Sequence, residues 1–248
     1  MQLVRFAFVI VCSLTACRGE GGTGAVRSPA SPAPSPASPS PSSPPVGPAP
    51  AAHAGHHPGH HPGHSWDDIY RNGTGFRLAP NRLLVDSVHG VAPGKALDID
   101  MGQGRNAVYL ASQGWDVTGV DTSAEGVRIA GEQAAAAGRK LNGLVQDIQT
   151  FEMGTSQWNL IAMIYMDDRA LAERIKAALA PGGLVVIEFF HSDSNDYFPH
   201  PINGFHTGEL EQLFHGFTVI RSEVVQDTAD FGQKPAKLVR FIARKPAA

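Results

Sequence analysis

The stretch Ala96-Leu97-Asp98-Ile99-Asp100-Met101-Gly102-Gln103-Gly104-Arg105-Asn106 decides the reading of this chain. Lys95 to Asp100 is an apolar-rich run that ends in a carboxylate and passes straight into glycines. Gly102 and Gly104 let the backbone approach a ligand closely and take positive φ. Arg105 to Ser112 reads as a helix, with Ala107, Val108, Leu110 and Ala111 apolar. Its start points free N–H groups at whatever the loop holds.

Working outward, the chain alternates strands and helices. Ser65 to Tyr70 is a capped helical turn, and Pro80-Asn81 starts a helix with Leu83, Leu84 and Val88 on one face. Downstream, Trp115–Val120 is a strand and Ala124–Ala137 a helix that Gly138 ends. Leu144–Ile148 and Trp158–Tyr165 are strands. Asp167–Leu179 is a helix stopped by Pro181-Gly182-Gly183. Leu184–Phe190 is a buried strand, Thr207–Phe214 a helix, and Phe217–Val225 and Ala236–Ala243 the last strands. This alternation predicts a doubly wound, mainly parallel α/β sheet of about seven strands. The unbroken apolar run Leu184-Val185-Val186-Ile187 suits a sheet covered on both faces.

Three carboxylates then stand at successive strand ends: Asp98, Asp121 and Asp147. Asp121, 17 residues after Gly104, is placed to accept hydrogen bonds from both hydroxyls of a ribose. Asp147 is placed for an adenine amino group. Two nucleoside ligands fit this pattern. Gly102-x-Gly104-x-x-Ala107 followed by Asp121 satisfies the dinucleotide fingerprint of a dehydrogenase. Against it, Asp98 would repel a pyrophosphate, and the chain has no second domain for a hydride acceptor. S-adenosylmethionine (SAM) offers an α-amino group, a ribose and an adenine in the order of Asp98, Asp121 and Asp147.

At these residues the chain resembles the class I SAM-dependent methyltransferases, most of all the tellurite-resistance and thiopurine methyltransferase-like branch. The likeness covers SWDDIYRNG, PNRLL, APGKALDIDMGQGRNAVYLASQGWDVTGVDTS, QWNLIAMIY, LAPGGLVVIEFF, TGELEQLF and VRFIARKP. It implies a Rossmann-like seven-stranded sheet of order 3-2-1-4-5-7-6 with the last strand antiparallel. It implies SAM held by Asp98, Gly102 and Gly104 in the first loop, by Asp121 at the ribose, by Asp147 and Ile148 at the adenine, and by Ile164 and Tyr165 beside the methionine portion; Asp100 and Thr122, next to these residues, are further cofactor-binding candidates. The chain departs from the family at Asp100, where glycine is usual. A β-carbon there crowds the adenosyl group or strains the backbone, whereas the carboxylate attracts a sulfonium. Asn159, where the family often has an acidic residue, is a structural change.

Methyl transfer depends chiefly on alignment and requires no fixed acid or base. Where a catalytic base exists, His191 after the fifth strand and His206 before the following helix are the candidates. Trp66 and Tyr70 are candidates to cover the cofactor, and Ser192 to Phe205 to shape a substrate pocket. The expected activity is methyl transfer to a small molecule: a thiol, a metalloid oxyanion or a hydroxylated compound. The alternative is a methyltransferase-like binding module that does not catalyse. A monomer is expected.

The composition is uneven. Twelve of the 19 prolines and six of the 11 histidines lie between Arg18 and His64, a stretch too poor in large apolar side chains to fold. Residues 65–248 are therefore the one segment able to build a core. Residues 1–16 read as a secretory signal, with Arg5 before the apolar run Phe6–Ala16. Leu14-Thr15-Ala16-Cys17 resembles a bacterial lipobox, which implies a lipid on Cys17 and an exported protein anchored to a membrane by that lipid. Residues 17–64 form a tether: a proline-rich spacer, then His53, His56, His57, His60, His61 and His64, which suit a divalent metal or simply a solvated tract. A net charge of -3 argues against a nucleic-acid partner. Both cysteines lie in the first 17 residues, so no disulfide scaffold exists.

Overall fold

The computed structural model describes residues 65–72, 77–197 and 202–247. The signal segment, Cys17, the proline spacer and the six clustered histidines lie outside the described residues.

A seven-stranded sheet forms the centre, in the order β3-β2-β1-β4-β5-β7-β6. The strands are β1 (Lys95–Ile99), β2 (Asp116–Asp121), β3 (Asn142–Val145), β4 (Trp158–Ile164), β5 (Leu179–Phe190), β6 (Thr218–Thr228) and β7 (Pro235–Arg244). The first five run parallel, and β7 is antiparallel to both β5 and β6. The expected topology is thus the observed one. Strand order reverses between β1 and β4, and open α/β sheets bind ligands outside the carboxyl ends of their strands at such a point.

Among the described residues, six α-helices flank the sheet: α1 (Trp66–Asn72), α2 (Arg82–Val88), α3 (Arg105–Ser112), α4 (Ala124–Ala136), α5 (Leu171–Ala178) and α6 (Glu209–Leu213). Alternate residues of each central strand face opposite ways, so the sheet has two cores. Ala96, Leu160, Ala162 and Val186 pack with Leu83, Leu84, Ala107, Leu110 and Ala130 of α2, α3 and α4. Leu97, Ile99, Ile161 and Ile187 pack with Leu171, Ile175 and Leu210 of α5 and α6, and with Phe214 just past α6.

Helix α1 is capped reciprocally: Ser65 N–H donates to Asp68 Oδ2 and Asp68 N–H to Ser65 Oγ, each at 3.2 Å. Its Asp67 in turn caps α4, accepting from Ser123 Oγ at 2.5 Å and from the Glu125 N–H at 3.0 Å. These bonds hold Asp67 ionised below the usual carboxylate range.

Several boundaries differ from the sequence reading. Strand β3 stops at Val145, not Ile148, because β2, its partner, ends at Asp121. Gln146 N–H still reaches Asp121 O at 2.9 Å, and the chain then turns at Asp147, whose Oδ1 accepts the Gln149 N–H. Asp147 therefore sits in a turn and does not end a strand. Helix α5 starts at Leu171, not Asp167, since Asp168 Oδ1 takes the Ala170 N–H in a local turn. Strand β5 already begins at Leu179, where Leu179 pairs with Trp158, so Pro181-Gly182-Gly183 does not separate helix from strand. Asn159 Oδ1 accepts the Lys95 N–H at 2.9 Å and so fixes the start of β1.

Gly104 is a packing residue. It has φ +78, and a β-carbon on it would lie 2.5 Å from Ala130 Cβ and 3.1 Å from Ala130 Cα. Gly104→Ala is expected to cost on the order of 1–3 kcal/mol through strain and displacement of α4. Urea denaturation of the purified domain checks this, and an unchanged midpoint would refute the packing role.

Candidate active site

A cavity with about 970 Å³ of empty space, including its open mouth, lies at the carboxyl ends of β1, β2 and β4, where the strand order reverses. One end is built from the β1–α3 loop, the end of β2 and α1. Asp100, Gly102, Gln103, Asp121 and Thr122 line it, together with Trp66 and Tyr70. The other end is lined by Ile164, Tyr165, Phe190 and the segment Arg77-Leu78, and by Arg105, Asp230 and Phe231.

Asp121 organises the first end. Its Oδ2 accepts the Gly102 N–H at 2.8 Å and its Oδ1 the Ser123 N–H at 2.7 Å. Tyr70 lies on the same loop: a β-carbon at Gly102 would stand 2.7 Å from the Tyr70 hydroxyl oxygen. Another at Gly126 would meet the Tyr70 ring at 3.1 Å. The two α1 aromatics stack on each other with ring centres 5.8 Å apart. Burial, and then the charges of Asp121 and Asp100, push the Tyr70 hydroxyl well above its usual range, so it stays protonated.

Asp98 is buried behind this loop, on the α3 side of the sheet. Its Oδ2 has no hydrogen-bond partner among the described residues. Burial raises its pKa to about 7, against the opposing pull of Arg105 and of the Ala107 backbone N–H. Asp100 takes φ +53, the left-handed region that favours glycine. Desolvation raises its pKa well above the ordinary value, and Asp121, Asp147, Asp98 and Asp168 push it the same way.

Of the residues singled out in the sequence, Asp100, Gly102, Asp121, Thr122, Ile164 and Tyr165 line the cavity. Asp98, Gly104, Asp147 and Ile148 do not. Ile148 is buried in the α5-side core. His191 and His206 also stand away from the cavity lining. His191 Nδ1 accepts the Asp193 N–H at 3.1 Å, which leaves the proton on Nε2, 3.0 Å from Thr207 Oγ1. Burial keeps this ring below the ordinary histidine pKa. His206 Nδ1 lies 2.9 Å from Ser192 Oγ. Both rings thus tie the β5–α6 connection together.

At the second end of the cavity, sequence reading picked out Ile164 and Tyr165 but missed the charged residues. Asp230, in the β6–β7 hairpin, pairs with Arg105 Nη1 at 2.7 Å and Arg77 Nε at 3.1 Å. It also accepts from Asn81 Nδ2 at 2.9 Å, and its backbone N–H donates to the Tyr165 hydroxyl at 2.7 Å. These partners lie far apart in sequence, so no local motif announces them. Among the described residues no group of three or more ligating side chains is placed to hold a metal.

The sheet order and the ligand-facing loop at its switch point define a Rossmann-like methyltransferase fold. Residues 96–183 match the family model of a methyltransferase domain. TehB from Haemophilus influenzae superposes with a TM-score of 0.59 at 20% identity, over 65% of this chain and 61% of that one. NodS, an N-methyltransferase from Bradyrhizobium japonicum solved with S-adenosyl-L-homocysteine (SAH), superposes at 0.53 and 17% identity, over 73% of this chain and 88% of its own. The [4+2]-cyclase SpnF superposes at 0.57 and 17% identity, over 67% and 81%. By sequence, hemagglutinin 1 of Eikenella corrodens is 28% identical over 176 residues, 66% of this chain and 58% of that protein. The chain thus spans about three fifths of the length of hemagglutinin 1 and of TehB. The three solved structures, all at 20% identity or less, share the fold of this chain.

Asp100 carries two costs, a left-handed backbone and a carboxyl among like charges. Because its folded pKa is raised, the native state holds a proton that the unfolded chain releases, so its contribution to stability falls as pH rises above about 4. Asp100→Asn is therefore expected to stabilise the domain, by more at pH 8 than at pH 5. Thermal unfolding at the two pH values measures this, and an equal effect at both would overturn the assignment.

Proposed function

We propose that this chain is a SAM-dependent methyltransferase acting on a small-molecule acceptor. The observation that carries the reading is the cavity at the switch point, with Asp121 and the Tyr70-covered Gly102 loop at one end. Behind the same loop stands the buried Asp98, whose Oδ2 has no hydrogen-bond partner among the described residues. Asp121, held at the end of β2 by two backbone N–H groups, presents a carboxylate of the kind that suits ribose hydroxyls. SAM, when bound, supplies a methyl on a sulfonium: the acceptor's lone pair takes the methyl, the carbon–sulfur pair stays on sulfur, and the acceptor's proton leaves to solvent. The chain's own residues contribute alignment and exclusion of water, through α1 above the loop and Ile164 and Tyr165 at the end of β4.

Asp100 favours a second reading, a methyltransferase-like module that binds without catalysing. Its φ of +53 and the carboxylates around it mark a loop altered from the glycine form. Titration calorimetry of the full chain with SAH separates the two. Micromolar binding supports the enzyme reading, and no binding at millimolar SAH overturns it. Binding that returns only in Asp100→Gly assigns the native chain to the second reading.

We further propose that the chain is exported and anchored by a lipid on Cys17, with residues 17–64 as a spacer whose histidines offer a divalent-metal site. The apolar run before Cys17 and the small residues beside it support this. Among the described residues no helix is long and apolar enough to cross a membrane. Labelled palmitate is expected to enter the wild type and not Cys17→Ala. An unlabelled wild type would refute the anchor.

A further inference from the structure

We propose that the second end of the cavity is an acceptor subsite for a small aromatic carboxylate, an inference that rests on the methyltransferase reading. Two kinds of surface meet there. Leu78, Ile164, Phe190, Phe231 and the Tyr165 ring give an apolar, largely aromatic wall. Leu78 is 72% exposed at the mouth. Facing this wall are two guanidinium groups, Arg77 and Arg105, with a single carboxylate, Asp230, between them.

The hydrogen bonds show what remains to be bound. Arg77 gives only Nε to Asp230, and its side chain is 42% exposed. Arg105 uses Nη1 for both Asp230 Oδ2 and the Ala79 carbonyl. The other N–H groups of both forks take no partner among the described residues. Glu188, Asp227 and Arg240 balance the wider network, but none of them lines the cavity. The surface that a ligand meets at this end therefore carries two cations and one anion. Guanidinium forks recognise carboxylates by paired N–H donors, and an aromatic wall binds a flat ring by edge-to-face or stacked contact. The Tyr165 and Phe190 rings already stand edge to face at 5.4 Å.

The site has a defined height above the sheet because Asp230 fixes it. The Arg77 N–H donates to the Asp230 carbonyl at 3.1 Å, and the Asp230 N–H to the Tyr165 hydroxyl at 2.7 Å. The hairpin tip is thus bonded to the segment before α2 and to the end of β4. Arginine anchors and aromatic wall are held in one frame with Ile164 and Tyr165, which adjoin the glycine-loop end.

The test is calorimetry on the full chain saturated with SAH, using 2-mercaptobenzoate, benzenethiol and mercaptoacetate as probes. These carry ring and carboxylate together, ring alone, and carboxylate alone. 2-Mercaptobenzoate is expected to bind at least about tenfold more tightly than either of the others, the scale of one charge-assisted hydrogen bond. Arg77→Gln should weaken it by about tenfold, leave benzenethiol unaffected and leave SAH affinity unchanged, while Arg77→Lys keeps part of the binding. Equal affinities for the three probes overturn the proposal. So does a loss of SAH affinity in Arg77→Gln, which would assign the fork to the cofactor's own carboxylate. Failure of SAH itself to bind would instead refute the methyltransferase reading beneath it.

Discussion

The Asp121 carboxylate holds two turns at once. With one oxygen on Gly102 N–H and the other on Ser123 N–H, it joins the loop after β1 to the start of α4. The first of these loops carries positive φ at Asp100, Gly102 and Gly104. Backbone donors to a carboxylate are strong, and they stabilise the ionised form. The consequence is a carboxylate fixed in place at the switch point of the sheet. Asp98 and Asp100 stand near it in a poorly solvated setting, and both respond by holding protons more tightly. The glycine loop is therefore an electrostatic compromise: burial beside the Asp121 carboxylate raises the pKa of both Asp98 and Asp100.

The far end of the cavity follows the opposite rule, in which buried charges are paired. Glu188, almost fully buried, accepts from Asn81 Nδ2 at 2.6 Å and from Arg240 Nε at 2.6 Å. Arg240 also reaches Asp227 at 2.6 Å. Replacing such a network with apolar groups is often neutral for stability, so its presence is weak evidence of a stabilising role. What it does supply here is register. It sets the β6–β7 hairpin against β5 and against the start of α2, and so places Asp230 where Arg77 and Arg105 can reach it.

How much of this was legible in the sequence depended on the range of the interactions. The sheet and its order rest on strand periodicity and on resemblance, and Leu184 to Ile187 or Ala96 to Ile99 declare themselves by composition. Asp100, Gly102 and Asp121 were legible because a strand end followed by glycine or a helix cap is a local pattern. Asp147 was misplaced by an edge strand that ends early, since nothing in Leu144 to Ile148 shows where its partner β2 stops. His191 and His206 attracted notice for their chemistry alone, but a histidine near a strand end can as easily cap a loop. Arg77, Phe231 and Asp230 were invisible. Their meaning comes from a hairpin folding back across the domain, a contact of tertiary origin without a propensity signal.

Three consecutive residues at the start of α3 connect the two ends of the cavity. The Ala107 N–H acts on the Asp98 carboxyl, the Asn106 Oδ1 accepts the Asn81 N–H at 2.9 Å, and the Arg105 guanidinium pairs with Asp230. Each bond belongs to a different part of the site, yet the three donors and acceptors are fixed to one rigid helical turn. Gly104 holds that turn close against Ala130 of α4, leaving no room for it to tilt. Protonation of Asp98 and the position of the arginine fork thus bear on the same short element. Arg105 itself pulls on the Asp98 carboxyl and pairs with Asp230, so the charges at the two ends of the cavity meet on one guanidinium.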